Sequence, residues 1–223
     1  MEIWSCEFSP DGKYLVTVSE DQTSCVWKID IGDFRKGGHD EEMEAVLANP
    51  NKKKADDEYL SRDGAVRIRK CMSLKAHTMA VTCVDFKNTE IGPVFATCSD
   101  DRKVFVYRAS KRKQQEAQIY ATGSTSVCIE APDLDETMHV EEYCMLRTRE
   151  KGYYITYVCL EENGNRLAAV TEDGFFFIWN FVTQELLFQK KLHLSSIEGL
   201  RWNQETGMIA SCGSDNCVLI FEL

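Results

Sequence analysis

His77, Ser99 and Asp101 carry the side chains of a hydrolase triad within a chain of 223 residues. An imidazole, a hydroxyl and a carboxylate can pass a proton between them. They become catalytic only when an activated nucleophile faces an oxyanion site. Nothing in the sequence supplies that site, so no catalytic residue is assigned and no enzyme activity is expected. His39 and His139 lie in polar stretches and read as solvated loop residues. Ten cysteines raise two other chemistries, disulfide bonding and metal ligation. No two of them form a C-x-x-C pair. Cys6, Cys25, Cys83, Cys98, Cys128, Cys159, Cys212 and Cys217 lie inside or beside apolar runs, where thiols act as small hydrophobes. The expectation is buried free thiols in a reducing compartment, with no metal and no cofactor.

Charge narrows the partners. A net charge of −10 repels phosphate backbones, so direct nucleic-acid binding is not expected. The short basic runs Lys52-Lys53-Lys54 and Lys111-Arg112-Lys113 read as solvated loops. No apolar run approaches the roughly 18 residues of a membrane span. Met1 to Cys6 lacks the basic-then-apolar order of a secretory signal. An intracellular protein, cytoplasmic or nuclear and without membrane insertion, is therefore expected.

The elements that position these residues are strands. Trp4 to Phe8 alternates, Ser9-Pro10-Asp11-Gly12 turns, Tyr14 to Val18 is a second strand, and Ser24 to Ile29 a third. The same antiparallel triplet returns three times. Its copies are Ala80–Phe86, Val94–Cys98 and Lys103–Arg108; Thr156–Leu160, Arg166–Val170 and Phe175–Phe181; and Ile197–Trp202, Met208–Cys212 and Cys217–Leu223. A repeat that cannot bury its own faces needs neighbours stacked on it. Between copies, residues 31–65 are charged and poor in aliphatics and read as a long exposed loop, with a short helix possible around Glu41 to Leu47. Residues 116–150 read as a degenerate further repeat with strands at Gln118–Thr122, Ser126–Glu130 and Glu141–Arg147. The alternative is an outer strand at Ala117–Ala121 followed by a loop insertion.

Aligning the triplets exposes one spacing. Ser19 and Asp21 precede Trp27; Ser99 and Asp101 precede Tyr107; Thr171 and Asp173 precede Trp179; Gly213 and Asp215 precede Phe221. Each copy has an aspartate in its second turn and an aromatic residue six positions later. This pattern resembles the WD40 repeat, over residues 3–29, 68–109 and 153–223. The resemblance implies a buried relay from aspartate to histidine, histidine to hydroxyl, and hydroxyl to aromatic ring. His77 stands 24 residues before Asp101, and His193 stands 22 before Asp215. The full relay is implied for His77, Ser99 and Asp101, with Tyr107 replacing the usual tryptophan. It is reduced around Asp215, because Gly213 has no hydroxyl and Phe221 no polar atom.

The resemblance also implies an all-β fold, a WD40-type β-propeller. Four blades are expected near 3–29, 66–109, 153–182 and 185–223, with the degenerate 116–150 as a fifth, in one propeller region spanning 1–223. Outer strands are available at Val66–Leu74 for the blade beginning at Ala80 and at Glu185–Leu192 for the blade beginning at Ile197. Rings of about seven blades are common in the family. The expectation is therefore part of a larger ring, closed by further sequence or by another chain. Glu20, Met79, Asp100, Arg102, Glu172 and Ser214 fall in the turns of one face and form a mostly acidic rim, suited to a partner segment carrying Lys or Arg. The function implied is a non-catalytic scaffold that docks proteins or peptides in a multi-subunit complex. The alternative is a substrate-recognition subunit of a ubiquitin ligase. The Trp-Asp-x-Arg signature associated with that class is not found at Tyr107-Arg108-Ala109-Ser110 or at Trp179-Asn180-Phe181-Val182.

Overall fold

Apolar runs broken by Asp- and Gly-bearing turns fold back on themselves as antiparallel meanders. The computed structural model describes residues 2–32, 58–61, 65–112, 137–147 and 154–222, and among these there is no helix. The first sheet holds β1 (Ile3–Phe8), β2 (Tyr14–Ser19), β3 (Ser24–Ile31), β4 (Glu58–Leu60) and β5 (Val66–Leu74), in the order β1-β2-β3-β5-β4. The second runs β6 (Val81–Thr89), β7 (Gly92–Ser99), β8 (Lys103–Arg112) and β9 (Thr137–Arg147). The third runs β10 (Ile155–Leu160), β11 (Arg166–Thr171), β12 (Phe175–Asn180) and β13 (Glu185–Lys191). The fourth holds β14 (Ile197–Trp202), β15 (Met208–Gly213) and β16 (Val218–Glu222).

The leading strands stand side by side, β1 against β6, β6 against β10 and β10 against β14. The sheets therefore follow one another around an arc, with an apolar layer in each of the three gaps. Val16, Val26, Phe86 and Phe95 fill the first gap; Val104, Val106, Leu160 and Leu167 the second; Val170, Phe176, Leu200 and Ile209 the third. Burial tracks position in the arc. β7 and β11, from the inner sheets, carry unbroken buried runs, while β2 alternates buried with half-buried residues. Alternation marks a sheet packed on one face. The fourth sheet is open in the same way, with Val218 69% and Ile220 68% exposed. The arc is an unclosed part of a β-propeller.

Four expectations need correction. Val66–Leu74 and Glu185–Lys191 pair with β3 and β12, so each completes the sheet that precedes it and not the one that follows. Glu141–Arg147 belongs to β9 and pairs along β8. It is the outer strand of the second sheet and not part of a separate fifth blade. His139 accordingly lies in β9 opposite Ser110, and not in a loop. The 31–65 stretch contributes Ile31 to β3 and the whole of β4. Gln118–Thr122, Ser126–Glu130, Ala117–Ala121, Glu41–Leu47, His39 and Cys128 lie outside the described residues. Among the cysteines, Cys83, Cys98, Cys144 and Cys159 are buried, but Cys6, Cys212 and Cys217 are exposed free thiols. Those three lie in or beside the two end sheets, whose outer faces no sheet among the described residues covers.

Candidate functional site

The turn between the second and third strands of each sheet is the unit from which the site is built. One residue after each turn aspartate, the backbone takes the left-handed conformation, at Gln22 (φ 73°), Arg102 (67°), Gly174 (87°) and Asn216 (62°). The N–H of that residue bonds back three positions, to Ser19, Ser99, Thr171 and Gly213 respectively. Asp21, Asp101 and Asp215 hold the turn from within, each accepting the N–H two residues ahead at 2.9, 3.0 and 3.1 Å. That local bond is why aspartate suits the position. Asp173 instead accepts the Thr171 hydroxyl at 2.6 Å.

Two of the turns receive a histidine from the loop that leaves the preceding sheet. His77 follows β5, and its Nδ1 lies 3.1 Å from both oxygens of Asp101. His193 follows β13 and meets Asp215 at 2.9 and 3.1 Å. A carboxylate only accepts, so Nδ1–H is the donor in each pair, and Nε2 is left for a hydroxyl, which can donate or accept. The next N–H in each loop, from Thr78 and Leu194, donates to the same carboxylate at 3.0 and 2.9 Å. Burial alone would raise the Asp101 carboxyl, but the His77 bond and the Thr78 N–H outweigh it and hold it at about 2. The His193 bond, joined by the Leu194 N–H, holds Asp215 at about 2.

The hydroxyl in the relay is not the expected one. His77 Nε2 meets the Thr97 hydroxyl at 2.9 Å, not Ser99. Ser99 Oγ bonds Met79 O at 3.2 Å and the Asp101 N–H at 3.1 Å, so it stitches the turn instead. His193 Nε2 meets Ser211 at 2.9 Å, which supplies the hydroxyl that Gly213 lacks. In the first sheet the Trp27 indole N–H donates to Thr17 at 2.9 Å, while Ser19 bonds the Asp21 N–H. Thr17, Thr97 and Ser211 each stand four residues before the turn aspartate. The third sheet has Ala169 at that place, and there Trp179 stacks on Phe177 with centroids 5.3 Å apart. The recurring hydroxyl four residues upstream was available in the sequence. It was masked by a second hydroxyl two residues upstream in two of the copies, and the third copy has only the latter. Tyr107, in the tryptophan position, has a buried hydroxyl that lies beside the Thr97 hydroxyl without a well-formed hydrogen bond among the described residues, and burial pushes that phenol above its usual range. Thr97 is fully buried and His77 only 5% exposed. The relay is sealed from substrate, so its geometry serves to lock the turn.

Outside the relay, the same turns present a rim. Glu20, Asp100, Glu172 and Ser214 occupy equivalent places. Each donates its N–H to the residue just before the leading strand, namely to Glu2, Ala80, Tyr154 and Ser196, at 3.0, 3.1, 3.1 and 2.8 Å. Glu20, Glu172 and Ser214 are exposed and Asp100 is half-buried. Burial raises the Asp100 carboxyl, and the charges of Glu172 and Asp101 raise it further. The carboxylates of Asp100 and Glu172 thus lie close enough for the charge of one to oppose ionisation of the other. Arg102 is exposed with its guanidinium 5.9 Å from the Tyr154 ring, and Met79 is also exposed. Ser214 donates to Glu198 at 3.0 Å. Among the described residues, no group of three or more His, Cys, Asp and Glu is placed to hold a metal ion. No helix there is long and apolar enough to cross a membrane, which says nothing of a β-barrel.

Comparison with known proteins gives a consistent picture. The family described as WD40, WD domain, G-beta repeat, matches residues 1–28, 68–108 and 184–222. Curated relatives include Protein HIR1 of Yarrowia lipolytica, 24% identical over 223 residues, and Protein HIR1 of Kluyveromyces lactis, 22% identical over 221 residues. Each alignment covers 99% of this chain but only 18% and 22% of the relative, so the chain spans about a fifth of their length. Among solved structures, the β-propeller domain of Cps50 (Swd1) from Myceliophteria thermophila aligns at a TM-score of 0.56 and 14% identity, over 100% of this chain and 52% of that one. The computationally designed Ika4 protein aligns at 0.57 and 16% identity, over 100% of this chain and 91% of that one. These likenesses concern the fold.

Proposed function

Because this chain is a WD40-repeat β-propeller protein, we propose that it is a non-catalytic scaffold that docks partner proteins or peptides within a multi-subunit complex. The observation that carries this reading is the rim of equivalent turns, with Glu20, Asp100 and Glu172 held in register by the same backbone bond. A rigid, repeated frame fixes where each carboxylate projects, which is what recognition of an extended cationic segment needs. The hydrogen-bonded turns beneath the rim supply that rigidity, with the histidine relay added under Asp100. Four blades built on the four sheets, Ile3–Leu74, Val81–Arg147, Ile155–Lys191 and Ile197–Glu222, as one region, are our reading of the organisation, with the remainder of the ring supplied by further sequence or another chain. An intracellular setting, cytoplasmic or nuclear, fits the described cysteines, all of which are free.

Affinity purification with cross-linking mass spectrometry, on the wild type and on a D100A/E172A variant, tests the reading. Partners are expected to cross-link through lysines near the rim, and the double variant is expected to lose them. Recovery of the chain alone and monomeric, or undiminished capture by the double variant, overturns it.

A further inference from the structure

Each sheet has two faces, and the turn aspartate fixes which residues lie on which. Residues three and five positions to either side of it face the next sheet along the chain, and those four and six positions away face the preceding one. In the second sheet the forward set is Ala96, Cys98, Val104 and Val106. In the third sheet the rear set is Leu167, Ala169, Phe177 and Trp179, and the two sets fill one seam. The first seam sets Val16, Val18 and Val26 against Phe95, Phe105 and Tyr107. The third sets Ala168, Val170 and Ile178 against Ile209 and Phe221. Every seam therefore joins a forward face to a rear face that carries the large ring at the tryptophan position.

One face of each kind is left over. The forward set of the fourth sheet is Ala210, Cys212, Val218 and Ile220; Cys212 is exposed, Val218 is 69% exposed and Ile220 68%. The rear set of the first sheet is Leu15, Thr17, Cys25 and Trp27, all half-buried, whereas its counterparts in the second sheet are at most 5% exposed. Cys6 and Phe8 pair with Thr17 and Leu15, widen the same face and are exposed. Neither set contains a charged residue, in a chain of net charge −10. Exposed apolar faces of this kind mark surfaces that bind another protein surface.

The two faces continue the internal seams, in the same register and with the same division of side chains. What a forward face fits is a rear face, and a second copy offers both. Contact of one copy's forward face with the other's rear face is head to tail, and such contacts close when the rotation fits. Four sheets from each of two copies make eight, within the range of about four to eight blades in propellers. We propose that two copies of this chain pair in this way and complete an eight-bladed ring. The proposal rests on the reading of four blades as one region and names the chain that completes them. The rim takes no part in it. Dilution separates the copies and returns the arc with singly supported end sheets.

Light scattering on the purified full chain, with no other protein present, tests the proposal. A mass of twice 25.5 kDa is expected. I220K and F8E each place a charge on one of the two faces and are expected to run as monomers. Both side chains are exposed in the single copy, so unchanged far-UV spectra are expected to show an intact fold. An equal mixture of I220K and F8E is expected to recover the dimer, because one of its two contacts then carries neither substitution. A short bismaleimide is expected to link Cys212 of one copy to Cys6 of the other. D100A/E172A is expected to dimerise like the wild type, so loss of rim partners and loss of the dimer are read separately. A monomeric wild type, which leaves the ring to further sequence or a different chain, overturns the proposal. So does a mass that keeps growing with concentration, failure of the mixture to dimerise, or a Cys212–Cys212 link in place of the expected one.

Discussion

The carboxylate of Asp85, on β6, accepts the backbone N–H of Leu160, at the end of β10, at 2.7 Å across the gap between the second and third sheets. Asp85 is 9% exposed. Lys87 stands 3.2 Å from the same carboxylate and 3.8 Å from Glu7 of the first sheet. Burial alone would lower the Lys87 amine, but Asp85 and then Glu7 more than offset it, and the amine is raised. Three sheets thus meet at one small polar cluster. Replacing Asp85 with alanine strands the Leu160 N–H and removes the nearer partner of Lys87. The expected loss is about 2–3 kcal/mol in urea denaturation, and D85N, which keeps an acceptor, is expected to lose less.

A double-mutant cycle separates the two hydroxyls near His77. T97V and H77A are expected to be strongly non-additive, with a coupling of about 1 kcal/mol, because their side chains bond directly. S99A and H77A are expected to be closer to additive, since Ser99 bonds backbone and not the ring. Equal coupling of both serine and threonine to His77 would return Ser99 to the relay.

The relay also sets the response to acid. Asp101 and Asp215 titrate at about 2 in the fold against an ordinary 3.8. A carboxyl with a lowered folded value contributes stability that is complete above its unfolded value. That stability is lost as pH falls from 3.8 toward 2. Thermal melts are therefore expected to be flat near neutrality as far as these groups are concerned, and to drop between about pH 4 and pH 2. D101N is expected to start less stable and to show a shallower drop.

Tyr107 and Trp27 occupy equivalent positions but hold different hydrogen-bond status. The Trp27 N–H reaches Thr17, whereas the Tyr107 hydroxyl is buried beside Thr97 without a well-formed hydrogen bond among the described residues. Removing an unsatisfied polar atom costs little. Y107F is expected to change stability by less than about 1 kcal/mol or to raise it, while W27F is expected to lose more, through both packing and the bond. Calorimetry of the two variants checks the order.

The strand triplets and their turns were readable in the sequence because the information is local. Alternation marks the strands, and Asp21, Asp101, Asp173 and Asp215 mark the turns that close them. The outer strands were misassigned because Val66–Leu74 and Glu185–Lys191 carry no local sign of which neighbour they join. Strand pairing is settled by the connection: each outer strand returns beside the third strand of its own sheet before the chain crosses to the next. Glu141–Arg147 was taken into a separate blade for the same reason, since a long excursion separates it from β8. Thr97 and Ser99 share one strand and one face, and only the reach of the His77 ring decides between them. Asp85 gave no signal at all, because its partner is a backbone amide 75 residues away.

The contrast between the unbroken burial of β7 and β11 and the alternating burial of β2 has a dynamic reading. Each sheet is stabilised chiefly by the sheets on either side of it, so the inner two have two such supports and the outer two have one. Amide hydrogen exchange is then expected to be slowest along β7 and β11 and fastest along β1 and β16, with protection falling stepwise from the middle outward. Under mild denaturant the protein would fray sheet by sheet from its flanks, and any chain that packs against β1 or β16 would slow exchange two sheets away without touching them.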